Sequence, residues 1–174
     1  MNTIKEIAQL GAPVLRQRAD KITDVFSEET QEIINTLKDT LASTLGVGIA
    51  APQVSISKRI IIVASRPSTR YPHAPLMEPT IMINPSFVAL SSDKEKDWEG
   101  CLSIPGIRAL IPRYIHIEIN YTDIDAQPVN MQLNGFIARV FQHEFDHLDG
   151  TVYLDRVENN KDIFAESEYF KTFL

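Results

Sequence analysis

Apolar residues recur along this chain with two different periods. Between residues 28 and 44, Ile33, Ile34, Leu37 and Leu41 return at three- and four-residue steps, which predicts an amphipathic helix. Glu28, Glu29 and Glu32 crowd its start, where the helix dipole is positive, and Ser27 is placed to cap it. Residues 59–64, Arg-Ile-Ile-Ile-Val-Ala, form a β-branched run that reads as a buried strand. Residues 80–85 predict a strand ended by Asn84-Pro85, which residues 87–90 continue. Residues 113–122 alternate, which predicts one strand with Ile115, Ile117 and Ile119 inward and His116 on the polar side. A turn at 123–128 leads to a return strand at 129–133. Asn134 then caps a second helix, with Phe136, Val140, Phe141 and Leu148 as apolar positions and Gly150 as its stop.

The intervening stretches read as connections. Residues 11–16 form a turn into a short helical piece anchored by Leu15. Gly46-Val47-Gly48-Ile49-Ala50-Ala51-Pro52-Gln53 breaks the first helix with small residues, the composition of a backbone that approaches something closely. Residues 65–80 hold four prolines and no period, a surface loop with His73 solvated in it. Residues 91–96 read as a polar, charged turn. From Glu158 the chain is charged and then aromatic, with Tyr169, Phe170 and Phe173 in a short amphipathic segment. With no repeat or linker visible, the pattern predicts a single α+β domain over residues 1–174, antiparallel strands packed around a central helix.

Composition narrows the class of function. The chain has 174 residues, 44% hydrophobic and 23% charged, enough for one domain with a real core. A net charge of −6 and no basic block argue against nucleic acid as a main partner. No apolar run reaches membrane-spanning length, and the first residues carry no apolar signal core, so no membrane role and a cytoplasmic location are expected. Cys101 is the single cysteine, which rules out an internal disulfide.

The chemistry begins at Gln142-His143-Glu144-Phe145-Asp146-His147. Residues four apart share a helix face, so His143 and His147 can aim two imidazoles at one point, with Glu144 beside it. That is a divalent-metal arrangement with a general base next to it. The apolar positions of this helix place the histidine face inside the protein. The lone thiol of Cys101 supplies a third ligand. Two His and one Cys leave a fourth tetrahedral position open, as in a catalytic rather than a structural site.

Three segments resemble one family. Gly46-Val47-Gly48-Ile49-Ala50-Ala51-Pro52-Gln53 is similar to G-x-G-x-A-A-x-Q, Glu99-Gly100-Cys101-Leu102-Ser103 to E-G-C-x-S, and Gln142-His143-Glu144-Phe145-Asp146-His147 to Q-H-E-x-D-H. In that order and over roughly residues 10–157, they resemble peptide deformylase. The resemblance implies a hydrolase that removes the formyl group from the N-terminal formyl-methionine of newly made polypeptides, met as they leave the ribosome, with no nucleic acid needed for catalysis. It implies one divalent metal held by Cys101, His143 and His147, Fe(II) in the cell with Zn(II), Ni(II) or Co(II) as substitutes. Metal-bound hydroxide would attack the formyl carbon, with Glu144 as general base and then acid. The Gln53 amide and the Leu102 backbone N–H would stabilise the oxyanion. Gly48 would pair with the substrate backbone, and Val47, Phe136 and Val140 with His143 would receive the methionine side chain.

The resemblance also implies an ion pair of Glu99 with Arg113. Arg108 matches a residue near the substrate chain, or else is merely exposed. Asp146 falls on another helix face and is expected to hydrogen-bond for structure, towards the Cys101 segment. Arg139 stands where many relatives are apolar; it faces away or narrows the pocket. One rival is a zinc peptidase with Glu166 or Glu168 as third ligand, which leaves Cys101 and Gln53 without a role. Another is a catalytically silent binding module, whose usual sign, a missing ligand or a missing Glu, is absent from this sequence.

Overall fold

The two periods of the sequence become two helices on either side of one sheet. The computed structural model describes residues 3–68 and 71–173. In chain order its elements are α1 (Glu28–Ala42), β1 (Gly48–Ala50), β2 (Ile60–Ser65), β3 (Met77–Ala89), β4 (Lys94–Cys101), β5 (Ile104–Tyr114), β6 (His116–Thr122), β7 (Pro128–Asn134), α2 (Gly135–Leu148), β8 (Ile163–Ala165) and α3 (Glu166–Phe173). Every strand pairing is antiparallel. A five-stranded sheet runs β1-β2-β3-β6-β7, and a three-stranded sheet runs β4-β5-β8. The fold is α+β, as the sequence predicts.

β2 shows why its sequence is apolar throughout. Successive side chains in a strand point to opposite faces. Ile60 and Ile62 pack with Ile33, Ile34, Leu37 and Leu41 of α1. Ile61 and Val63 pack with Val140, Phe141 and Leu148 of α2. Both faces are covered, so a polar alternation has no place there. β6 keeps the expected alternation, with Ile117 and Ile119 buried and His116 exposed. Leu15 is buried as an anchor in a short 3-10 turn, Pro13–Arg16.

α1 begins where expected. Ser27 Oγ accepts from the Thr30 N–H at 3.2 Å, and the helix ends at Ala42, two residues short of the predicted end. The Asn84-Pro85 signal is a kink inside β3 rather than its end. Asn84 has a left-handed backbone (φ 50°), the register shifts there, and its amide bonds Ile22 N–H at 2.9 Å and Ile22 C=O at 2.8 Å.

Three expectations need correction. The expected single strand at 113–122 is the seam between the two sheets. The chain leaves β5 at Tyr114, passes Ile115 and enters β6 at His116, so one alternating run serves two sheets. The charged stretch at 91–96 is a turn only to Asp93; Lys94 starts β4, whose exposed edge accepts charged residues. Asn134 is the N-cap residue of α2 but makes no side-chain cap bond. The Gly135 N–H donates instead to Ile115 C=O at 2.9 Å, tying the helix start to the seam.

Candidate metal centre and active-site cleft

α2 lies where the two sheets meet, and both of its ends are fixed from outside. At the C-terminal end Arg59 donates to Leu148 C=O at 3.1 Å and to Asp149 Oδ1 at 2.7 Å, filling a carbonyl that a helix end leaves open. Near the seam the Gln142 amide accepts from Tyr114 N–H at 3.0 Å and donates to Tyr114 C=O at 2.8 Å. Gln142 so pairs with β5 as a strand neighbour would. The helix is thus set in position before its histidines do anything.

The three expected ligands come together. Among the described residues, one group of Cys, His and acidic side chains has metal-binding spacing. It is Cys101, His143 and His147, whose donor atoms lie within 4.8 Å of one another. His147 Nε2 is 3.4 Å from Cys101 Sγ. Cys101 ends β4, and the short link to β5 folds the Ser103 N–H back to 3.4 Å from its sulfur. Burial pushes the Cys101 thiol up, but the imidazoles of His147 and His143 outweigh it and hold the thiol well below its usual range. The thiolate is the form that ligates metal.

Glu99 orients His143. Its Oε2 is 2.8 Å from His143 Nδ1, which leaves Nε2 for a ligand. The ion pair with Arg113 is bidentate, with both bonds at 2.9 Å. Arg139 adds a further bond to Glu99 Oε1 at 2.9 Å and also donates to Ile111 C=O at 2.7 Å and Glu95 C=O at 2.7 Å. Burial raises the Glu99 carboxyl, but Arg113 and His143 outweigh it and keep it ionised well below the usual range. Arg139 therefore neither faces away nor points free into the pocket. It borders the cleft with its guanidinium committed to β4, β5 and Glu99. Asp146 does not reach the Cys101 segment. It binds Arg113 Nη1 at 2.5 Å and Arg156 in two bonds at 2.6 Å, since arginines lie on the face it presents.

The wall opposite α2 is β1 and the 3-10 turn Ala51–Val54. Gln53 Oε1 accepts from Ala50 N–H at 2.8 Å, which fixes the amide. Its Nε2 then faces the site, 3.5 Å from Cys101 Sγ and 3.3 Å from Ser103 Oγ. Gly48 is needed for a steric reason. A β-carbon there would lie 2.5 Å from Glu144 Oε1 and 2.8 Å from its Cγ. The small residues read as a close backbone approach thus approach the Glu144 side chain itself.

Glu144 is buried, and its Oε2 has no hydrogen-bond partner among the described residues. Burial pushes its carboxyl up to about 7, against the pull of both imidazoles. His147 Nδ1 is the other buried side-chain polar atom without such a partner among the described residues. The cleft in front of these groups has a volume of about 260 Å³. Val47, Gly48, Leu102, Phe136, Val140 and Arg108 all border it, so every expected substrate residue shares one cavity with Glu144. Arg108 is 2% exposed, which excludes the merely exposed alternative.

Tyr153 and Tyr71 carried no usable signal in the sequence. Tyr153 stacks on His143, with centroids 5.8 Å apart at 25°, and donates to Ile107 C=O at 3.0 Å. Tyr71 comes from the proline-rich loop, meets Phe136 at 4.8 Å between centroids and borders the cleft. Glu166 also borders it, paired with Arg108 Nε at 3.1 Å, while Glu168 pairs with Lys171 at 2.7 Å on the surface. Neither acid belongs to the Cys101, His143 and His147 group.

The donor set fits a catalytic divalent metal. It offers one thiolate and two imidazoles, one of them oriented by a carboxylate, beside a cavity.

A sequence model of the family described as Polypeptide deformylase matches residues 4–162. A protein named Peptide deformylase 2 from Nostoc sp. is 53% identical over 163 residues, which is 94% of this chain and 91% of the relative. The structure of a class I type b peptide deformylase from Acinetobacter baumannii with Met-Ala-Ser bound superposes with a TM-score of 0.87 at 38% identity, covering 90% of this chain and 100% of that one. The peptide deformylase structure from Thermotoga maritima superposes with a TM-score of 0.79 at 36% identity, covering 90% and 99%.

Replacing the thiolate separates this centre from the peptidase alternative. Cys101→Ser is expected to lose its metal on dialysis, and Glu166→Ala to keep it, as read by metal analysis of the folded proteins. The opposite pair of results would assign the third ligand to the C-terminal acid.

Proposed function

This chain belongs to the polypeptide deformylase family and removes N-formyl groups from nascent peptides; we propose that Glu144, Gln53 and Leu102 carry the chemistry. One observation supports this reading above the others. Glu144, whose Oε2 has no hydrogen-bond partner among the described residues, borders one cavity with the Gln53 amide fixed by Ala50 and with Cys101 and His143, two of the three convergent ligands.

Cys101, His143 and His147 would hold the metal. A divalent ion there polarises a carbonyl and lowers the pKa of water. Glu144 accepts the proton of the attacking water at Oε2 and later returns it to the departing amine. Water adds to the formyl carbon, the C–N bond breaks, and formate and a free N-terminal amine leave. Gln53 Nε2 and the Leu102 N–H donate to the oxygen on which negative charge builds. Val47, Phe136, Val140 and the ring of His143 take the methionine side chain. Gly48 leaves room for the substrate backbone beside Glu144. The Met-Ala-Ser bound to the Acinetobacter baumannii relative is the tripeptide that deformylation of formyl-Met-Ala-Ser leaves, which supports a short peptide lying in this cleft.

The working ion in this reading is Fe(II), with Zn(II), Ni(II) or Co(II) as substitutes; a thiolate with two imidazoles suits a borderline ion, a class that includes all four. The substrates are newly made formyl-Met polypeptides met in the cytoplasm as they leave the ribosome. A net charge of −6 supports action on the peptide without a nucleic-acid partner. No helix among the described residues is long and apolar enough to cross a membrane.

Glu144→Gln is expected to keep its metal and lose about 10²–10⁴ in kcat for formate release from a formyl-Met peptide. Gln53→Ala should lose about 10²–10³. A Glu144→Gln protein that turns over at the parent rate removes the carboxylate from the mechanism. For the metal, protein loaded anaerobically with Fe(II) is expected to exceed the Zn(II) form in kcat/KM and to lose activity in air as iron and thiolate oxidise. Equal activity of the two forms would refute Fe(II) as the working ion.

A further inference from the structure

The chain beyond residue 162 lies outside the family match, yet it is built into the cleft. β8 pairs with β5 in the register Ile107↔Ala165, Arg108↔Phe164 and Ala109↔Ile163. Phe164, Tyr169 and Phe173 gather around Trp98 of β4, with ring centroids 4.9, 5.1 and 5.1 Å away. This cluster anchors the segment one residue before Glu99. It packs the aromatic end of the sequence against β4.

Glu166, the first residue of α3, carries the segment into the site. Its Oε2 accepts from Arg108 Nε at 3.1 Å, and Arg108 Nη1 donates to the Tyr71 hydroxyl at 3.0 Å. The guanidinium also lies 5.6 Å from the Tyr169 ring centroid and 5.7 Å from that of Tyr71. Arg108 is 2% exposed, so its charge must be met inside the protein. Its flat group fills the space beside Gly100. A β-carbon there would be 3.0 Å from both Cζ and Nε. Gly100 falls in the register break between Glu99 and Cys101, has no partner in the ladder, and borders the cleft. A line of contact therefore runs from Glu166 through Arg108 to the backbone that precedes the thiolate.

Val47, Phe136 and Val140 border the cleft with His143 and Glu144. Tyr71, Gly100, Arg108 and Glu166 border the same cleft and offer a wall for peptide beyond the first residue. We propose that the segment Ile163–Phe173 is part of the substrate site, and that Glu166 is a specificity-determining residue that holds Arg108 and Gly100 in place for the peptide following the formyl-methionine. This rests on the deformylase reading. It assigns Glu166 the task of discriminating substrates by length and none in the chemical step.

The test is the ratio of kcat/KM for formyl-Met-Ala-Ser to kcat/KM for formyl-Met, measured in the metal-loaded full-length protein and its Glu166→Gln variant. Loss of one charge-assisted bond to a buried guanidinium should lower this ratio roughly tenfold, with the change carried by KM of the tripeptide. A fall of about threefold or more supports the proposal, and any smaller change, including parallel loss on both substrates, overturns it. Tyr71→Phe, which cuts the other tether of Arg108, is read by the same ratio should Glu166→Gln not fold. A parent protein that deformylates neither substrate overturns the deformylase reading and the proposal with it, whereas an active parent with an unchanged ratio overturns the proposal alone.

Discussion

The carboxylate of Glu99 is the constraint on which the site depends. A carboxylate has about four acceptor positions, and here all are taken. Oε1 accepts from Arg113 and Arg139, and Oε2 from Arg113 and His143. The donors belong to β5 and α2, while Glu99 itself belongs to β4. One buried group therefore fixes the helix with the ligands against the hairpin that carries the thiolate. A charge so deep is costly unless fully paired, and removing one partner of such a network costs about 3–5 kcal/mol. Glu99 is 4% exposed, Arg113 3% and Arg139 6%, so solvent screens these contacts little.

The rest of the fold serves this junction. The continuous apolar run of β2 buries one sheet between two helices and holds α2 against it. Gln142 and the Gly135 N–H bind the seam at Tyr114 and Ile115, so the crossing between sheets and the start of the ligand helix move as one unit. Asp146, from the opposite side, holds Arg113 and Arg156. Gly48 makes the complementary allowance by leaving Glu144 a place beside β1. Chemistry and packing meet in the same few atoms, which is why the ligands sit on a helix and a strand and not on loops.

Much of this was legible in the sequence because local periods carry it. The spacing of His143 and His147 places two imidazoles on one face whatever the fold. The alternation at Ile117 and Ile119 and the Ser27 cap are equally local. The seam at Ile115 was not legible, since a strand that changes sheets keeps its alternation. The partners of Asp146 were misassigned because a helix face says nothing of what lies opposite. Arg139 was ambiguous for the same reason: its three acceptors come from Glu95, Glu99 and Ile111, and strand pairing alone brings them together. Tyr71 reaches the cleft, and Tyr153 the ring of His143, from segments with no chemical pattern of their own, while Glu166 suggested a metal ligand and is instead a partner of Arg108.

If Glu99 orders the centre, its charge should be felt in metal affinity independently of turnover. Co(II) titration of apo Glu99→Gln, followed by the visible absorption of the thiolate complex, measures this directly. The account predicts about 10–100-fold weaker binding than in the parent, at unchanged stoichiometry. Parent-like affinity in a folded Glu99→Gln protein would contradict it.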